Sequence, residues 1–310
     1  MKMSNTEIRF VKNKDIDHQK WDQCIAGLSF GIVYAYSWFL DRICSHWDAL
    51  IWGDYLYIMP LVNNCKFGIS YVYQPFFTQQ LGIFSIFSIE SEIVDQFLLS
   101  IPRKFRLIEM KLNLGNVPTT SQFQIKANTN FHLYLKPSVQ IIQANYNTNT
   151  HRNIRKAIQN NVTVSRFDDI AFFIEFTRLN LKEKSSEVSD KHYSALQKVI
   201  SYAVLNQHGE IYGAYDSDQQ LIAAVFFVNS NLRSIYLAAS SNEVGIAQSA
   251  MFLLIDTFIR NNAGRDLVLD FEGSNIAGIA RFYTGFGALA QTYYSVYWNR
   301  LPKIVRIFKK

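Results

Sequence analysis

Apolar and polar positions recur along the chain with periods that assign most of it to helix or strand. Trp21, Cys24 and Ile25 follow Asp17 at helical spacing and stop near Gly27, so Asp17 is the expected N-cap. Ser37 opens a second helix through Phe39, Leu40, Ile43 and Trp47. A hairpin follows, with Ala49 to Trp52 and Tyr55 to Val62 joined by a Gly53-Asp54 turn. Gly68 to Tyr73 reads as a third strand, stopped before Pro75. Ile89 to Ser100 is helical, Phe105 to Asn113 alternates as a strand does, and His132 to Leu135 is one more strand. Beyond 145, Thr148 or Thr150 is placed to cap a helix running to Asn160. The pattern then gives a short strand Val162 to Ser165 and helices Asp168 to Asn180 and Asp190 to Asn206. Three strands come next, Gly209 to Tyr215, Leu221 to Val228 and Arg233 to Ala239, joined by Asp- and Asn-rich turns. A long helix Ile246 to Asn261, a buried strand Asp266 to Phe271, a helix Asn275 to Phe286 and a strand Thr292 to Trp298 complete the pattern.

The order of elements repeats. The second half reads helix, strand, helices, three-strand meander, helix, strand, helix, strand. The first half reads the same in reduced form and ends on the His132 to Leu135 strand. Ile51 to Val62 matches Gly213 to Val228, and Leu107 to Leu112 matches Leu267 to Glu272. The expected division is therefore two α/β domains of mixed α+β type, residues 1–137 and 138–310, joined by a linker near 137–147.

Composition narrows the class. The chain has 310 residues, 49% of them apolar and only 18% charged, which builds sizeable cores and excludes a disordered chain. Aromatic residues reach 15%, enough for thick cores and a groove besides. The net charge of +6 suits an anionic ligand without demanding one. Cys24, Cys44 and Cys65 show no Cys-x-x-Cys spacing, and the six histidines show no ligand spacing, so reduced thiols and no metal are expected. A polar start, and no apolar run near the ~20 residues that span a bilayer, predict a soluble, cytoplasmic chain. No Gly-x-Ser-x-Gly elbow, Gly-x-Gly-x-x-Gly loop or Walker pattern is present, which argues against α/β-hydrolases, dehydrogenases and nucleotide-dependent kinases.

The stretch richest in chemistry is Asp270 to Ala288. A buried strand delivers Asp270 and Glu272 to its C-terminal end, and Gly273 permits a sharp turn. Ser274 or Asn275 is placed to cap the next helix, whose free N–H groups would face an anion. That helix carries Arg281 and Tyr283 before Gly285 and Gly287. The stretch resembles the GNAT acyltransferase superfamily, whose last strand–helix–strand unit carries an Asn, then a Tyr, then a Gly-Phe pair. Asn275 and Tyr283 fall near those places, although Phe286 precedes Gly287 here. It is more similar to the Fem-type branch, which includes the peptidoglycan aminoacyltransferases and reads Asp-Phe-x-Gly-Ser, then Gly-(Leu/Ile)-x-x-Phe-(Lys/Tyr)-x-x-Phe-Gly. Asp270, Phe271, Gly273, Ser274, Gly278, Ile279, Phe282, Phe286 and Gly287 match. Upstream, Arg152, Ile154, Arg155, Lys156 and Ala157 match the Fem-type Lys-x-Arg-x-x-Ile-(Arg/Lys)-Lys-Ala motif, with Thr150 standing where its leading Lys would be.

The resemblance implies two tandem GNAT-like domains, each a mixed, mostly antiparallel sheet flanked by helices, and transfer of an acyl or aminoacyl group to an amine. It implies a carbonyl clamp in the backbone of Leu237 to Ser241, with Ala239, Ser240 and Ser241 at the donor. Tyr283 would protonate the leaving group, and Asp270 and Glu272 are candidate bases. The bland readings stay open: a packed ring for Tyr283, a helix cap for Asp270. Ordinary GNAT enzymes grip the donor pyrophosphate with (Arg/Gln)-x-x-Gly-x-(Gly/Ala). Asn242 to Ala250 stands there with different spacing and offers Gly245, Gln248, Ser249 and Ala250, with Asn275 opposite. The donor is thus acyl-CoA such as acetyl-CoA or, in a Fem-type alternative, aminoacyl-tRNA; a non-catalytic binding module is the remaining alternative. Arg152, Arg155, Lys156 and Arg281 make a basic face that either holds phosphates or is simply solvated. Gln74, Phe76, Phe77, Gln79 and Gln80 either line a groove for the acceptor, a small molecule or peptidoglycan precursor, or form a core loop with capped amides. Leu301, Ile304, Val305 and Phe308 fall at helical spacing among Arg300, Lys303, Arg306, Lys309 and Lys310, a tail expected to dock on the protein or, alternatively, on an anionic membrane surface. No DNA partner is expected.

Overall fold

The structure, a computed structural model, describes residues 7–28, 31–181, 188–273 and 275–301. The chain divides into two compact units, one made of residues 1–128 with 292–310 and the other of residues 129–291.

The first unit opens with β1 (Arg9–Val11), a strand too short to show a period. In α1 (His18–Ala26) the Asp17 carboxylate caps the helix as expected, accepting from the N–H groups of Gln19 and Lys20. Next come α2 (Ser37–Ile43), β2 (Trp47–Trp52), β3 (Tyr57–Lys66), β4 (Ile69–Val72) and the two-residue β5 (Phe84–Ser85). They are followed by α3 (Ser91–Leu99) and β6 (Phe105–Lys111). β7 (Gln124–Tyr134) starts in this unit and ends in the second.

In the second unit, α4 (Val139–Ala144) lies within the stretch expected to be linker. Then come α5 (Thr148–Gln159), β8 (Thr163–Arg166), α6 (Ile170–Leu181) and α7 (Asp190–Leu205). The meander is β9 (Gly209–Tyr215), β10 (Leu221–Ser230) and β11 (Arg233–Ser241). The single helix expected from Ile246 is in fact two, α8 (Glu243–Ala247) and α9 (Ala250–Asn262), because Ser249 takes a left-handed conformation, φ 61°, between them. β12 (Val268–Asp270), α10 (Ala277–Gly285) and β13 (Leu289–Asn299) end the chain, and β13 runs from the second unit into the first.

The two units share one scheme. Within the first, strand order is β1-β2-β3-β4-β6-β13; within the second it is β8-β9-β10-β11-β12-β7. Each has one parallel pair, β4 with β6 and β11 with β12, at the same place in the order. Each is closed by an antiparallel strand, β13 on β6 and β7 on β12. The closing strands are exchanged relative to the sequence reading. The strand at His132 completes the second unit, and the strand at Ser295 to Asn299 completes the first.

Each unit has its own core. Met59, Phe97, Ile108 and Val296 belong to the first. Phe227, Phe258, Phe271 and Phe286 belong to the second, where the Phe227 and Phe258 rings stack 3.8 Å apart. No helix among the described residues is long and apolar enough to cross a membrane. The amphipathic C-terminal segment beyond Leu301 lies outside the described residues.

Candidate functional site

β11 and β12 pair in parallel from Arg233–Val268 to Ile235–Asp270 and then part. β12 stops at Asp270 while β11 continues to Ser241, so one edge of β11 is left uncovered beyond Ile235. Against β10 the register passes from Phe227–Tyr236 to Phe226–Ala238, which leaves Leu237 as the extra residue of a β-bulge. The bulge turns two consecutive residues, Tyr236 and Leu237, onto one cleft, and Ala239 and Ser241 follow at alternate positions. The cleft has a volume of about 580 Å³. Its other walls come from Phe271, Glu272 and Gly273 after β12, from one face of α10, and from Gly245, Ser249, Met251 and Phe252 around the start of α9.

Backbone fit sets the α8–α9 wall. A Cβ on Gly245 would lie 2.1 Å from the carbonyl oxygen of Ile222, so only glycine fits. The Asn242 side chain caps α8 by accepting from the Gly245 N–H at 2.8 Å. Ser249 Oγ donates to Asn153 Oδ1 at 2.9 Å, which ties the start of α9 to α5. The first turn of α9 lies beside the cleft, and there the Phe252 N–H donates to the Ser249 carbonyl at 3.1 Å.

Two tyrosines meet in the cleft. The Tyr283 ring stacks on Phe271 at 4.8 Å and lies 6.1 Å from the Tyr236 ring. Burial, reinforced by the carboxylates of Glu272 and Asp270, pushes the Tyr283 hydroxyl above its ordinary pKa, so it stays a proton donor at neutral pH. Burial, with Tyr283 adding to it, also raises Tyr236 well above the ordinary value, and its hydroxyl donates to Met251 Sδ at 3.3 Å. Sequence reasoning missed Tyr236. Only the bulge, which has no local sequence signal, brings it to Tyr283.

The two acidic candidates separate. Glu272 lines the cleft and adopts a left-handed backbone, φ 61°. Asp270 does not line it: it is buried behind, 2.9 Å from Arg233 and 3.2 Å from His132 Nε2. Its second oxygen accepts from the Glu272 N–H at 2.8 Å. Burial pushes the Asp270 pKa up, but the His132 hydrogen bond and the Arg233 charge overcome it and hold the carboxyl at about 2. Such a carboxylate, already engaged, is a poor general base, so that expectation is corrected: Asp270 holds the end of β12 and the turn into Glu272. Arg233 Nε is buried without a hydrogen bond among the described residues.

The two Fem-like stretches come together. Asn147, rather than Thr148 or Thr150, caps α5 by accepting from the Thr150 N–H at 2.8 Å. The Asn147 N–H donates to the Gly285 carbonyl at the end of α10 at 3.0 Å. A Cβ on Gly285 would lie 2.6 Å from Thr150 Oγ1, so glycine at 285 allows this approach. Arg152, Arg155, Lys156 and Arg281 are exposed and outside the cleft lining, as is Asn275. Ser240 points away and donates to Thr177 Oγ1 at 3.3 Å. Gln248 and Ala250 are also outside the lining, and Gln248 Oε1 is buried without a partner among the described residues. Ser274 lies outside the described residues.

The glutamine-rich loop belongs to the first unit, where β4 and β6 part as β11 and β12 do in the second. There the loop fills the gap. Gln74 Oε1 accepts from the Lys111 N–H at 3.0 Å and Gln80 Oε1 from the Leu114 N–H at 3.2 Å. Gln79 Oε1 accepts from Gln80 Nε2 at 2.8 Å, and the Leu81 N–H donates to the Lys111 carbonyl at 2.8 Å. Phe76 and Phe77 sit half-buried in the same loop. These amides satisfy the edge of β6, and the core-loop reading replaces the acceptor groove. Among the described residues no three His, Cys, Asp or Glu side chains gather as metal ligands.

No protein-family model matches the chain, and no curated protein matches it. Solved structures do. FemX superposes with a TM-score of 0.66 at 10% identity, covering 95% of this chain and 99% of its own. A conserved protein of unknown function from Bacteroides thetaiotaomicron gives 0.58 at 10%, covering 94% and 99%. L-PGS from Bacillus licheniformis gives 0.50 at 10%, covering 84% and 87%. The chain shares its fold with FemX and L-PGS.

Proposed function

We propose that the protein is an N-acyltransferase that moves an acyl group from a thioester or ester donor, acyl-CoA in the first instance, to an amine acceptor in the cleft of the second unit. The observation that carries this reading is that the bared edge of β11, Tyr283 and the carboxylate of Glu272 line one cleft. Acyl transfer needs a donor carbonyl held against N–H groups, a proton for the leaving group and a sink for the proton of the amine. The uncovered backbone of β11 past Ile235 supplies N–H groups to a developing oxyanion. Tyr283, kept protonated by burial, gives its proton to the departing sulfur or oxygen. Glu272 takes the proton of the amine, directly or through a water. Asp270, Arg233 and His132 act behind the site by fixing the turn that presents Glu272.

The exposed cations of α5 lie on the helix that Asn153 ties to Ser249 and suit the phosphates of a donor carrier. A nucleotide carrier and a tRNA both offer phosphates there, so aminoacyl-tRNA is the second reading. The acceptor, a small amine or a peptidoglycan precursor, and any membrane contact through the basic tail belong to the same proposal. Incubation with acetyl-CoA, longer acyl-CoAs or charged tRNA and a panel of amines, read by intact mass of the products, tests it. Product from wild type and a loss of roughly 10²–10⁴-fold in Tyr283→Phe support the reading. No product with any donor leaves a binding module on the same fold.

A further inference from the structure

The walls of the cleft say more about the group transferred than about its carrier. Among the described residues, Glu272 is the charged residue that lines it, and no Lys or Arg of that set does. Met251, Phe252, Ile279 and Phe282 form a continuous apolar side, with the Phe252 and Phe282 rings packed edge to face at 4.8 Å. The mouth is apolar too: Ile246 is 59% and Ile279 38% exposed, and both line the cleft. Exposed isoleucines at the lip of an apolar cleft are matched by an apolar occupant. An acetyl group would fill a small part of about 580 Å³ and leave the rest as water against aromatic rings.

Gly278 completes the picture. It is the second residue of α10, at a position where other residues serve as well as glycine, and it lines the cleft. A Cβ placed on it would meet no atom within 4 Å, in contrast to Gly245 and Gly285. Neither backbone conformation nor close packing calls for glycine at 278. What its missing side chain leaves is room in the cleft.

Resting on the acyl-transfer reading, we propose that this cleft selects a medium-length apolar acyl group, with Gly278 keeping open the space it occupies and Glu272 receiving the ammonium or amine of the acceptor. The carboxylate and the apolar wall then take the two ends of one reaction: an acceptor ammonium is attracted to Glu272 and becomes the nucleophile once it has lost its proton to that carboxylate, and an uncharged chain is attracted to Phe252 and Phe282. A charged acyl group would find no counter-ion among the described residues of that wall.

The test uses the full chain and donors stripped of phosphates, the S-acyl-N-acetylcysteamine thioesters, so that the acyl group alone varies. Calorimetric titration should show the octanoyl thioester binding at least ~30-fold more tightly than the acetyl thioester, the gain from burying between two and three of its extra methylenes at roughly fourfold each. Gly278→Leu should fold with an unchanged or raised melting temperature and lose that ratio, leaving it within about threefold of unity. Gly278→Ala should fall between. Equal binding of the two thioesters by wild type overturns the proposal and assigns the cleft to the carrier arm instead. A ratio unmoved in a folded Gly278→Leu overturns the role of that residue. Acyl transfer is read separately, by product mass with the same thioesters and a primary amine. Selective binding without product means that the acyl-transfer reading fails while the apolar site stands, and acetyl transfer without selectivity means the reverse.

Discussion

Asp270 and Tyr283 lie on either side of one turn, and their surroundings give their loss opposite consequences. Replacing Asp270 by Ala strands the buried Arg233 guanidinium without its partner, and an unpaired buried charge is destabilising by roughly 3–5 kcal/mol. Urea unfolding of Asp270→Ala should show a loss of that size. The same carboxyl sets an acid limit. Its pKa falls from 3.8 to about 2 on folding, so its contribution is fully present above the unfolded value and disappears as pH drops through the folded one. Thermal unfolding of wild type should therefore weaken between pH 4 and pH 2, and less steeply in Asp270→Asn. Tyr283→Phe removes a hydroxyl and no packing surface. It should lower turnover by roughly 10²–10⁴-fold with donor affinity and melting temperature nearly unchanged. A turnover equal to wild type would reduce Tyr283 to a packing residue.

At the scale of elements, the cleft depends on how α5, α8 and α9 are seated. α8 crosses β10 at Gly245, where a methyl group would meet the Ile222 carbonyl oxygen at 2.1 Å. Gly245→Ala must push α8 off the strand, an overpacking cost of roughly 1–3 kcal/mol, and should widen the cleft mouth. Hydrogen exchange that speeds up at 243–252 with the rest of the chain unchanged would show it. Asn147 has a smaller task, a cap on α5, and its replacement by Ala should cost about 1 kcal/mol in urea unfolding. Its own N–H still reaches Gly285, so α10 keeps its anchor.

At the scale of the whole molecule, the chain is two copies of one six-stranded scheme with their closing strands exchanged. β13 carries Val296, which is fully buried in the core of the first unit, and pairs with β6 from Leu107 to Lys111. Deleting residues 292–310 therefore removes a core strand from the unit that begins the chain. Calorimetry of residues 1–291 should show the first unit losing its cooperative transition. The copies also diverge at one place. Where β4 and β6 part, glutamine side chains occupy the gap; where β11 and β12 part, the gap stays open.

The elements and their order could be read from periodicity, because burying one face of a helix or strand leaves a local record in the sequence. So could the two stretches 149–157 and 270–288 as places of interest, but not their caps: Asn147, outside the first stretch, caps α5, and α10 starts after Ile276 rather than at Ser274 or Asn275. The exchange of β7 and β13 left no such record: a strand's alternation fixes which face is buried but not which neighbour it pairs with. The same limit hid the roles of single residues. Asp270 and Glu272 differ by two positions in sequence, but one is locked by Arg233 and His132, from distant strands, and the other faces the cleft. Tyr236 joined Tyr283 only through a bulge set by the register of β10 against β11. Composition and spacing determined what could be buried, and long-range pairing decided which of the chemically able side chains were left facing the cleft.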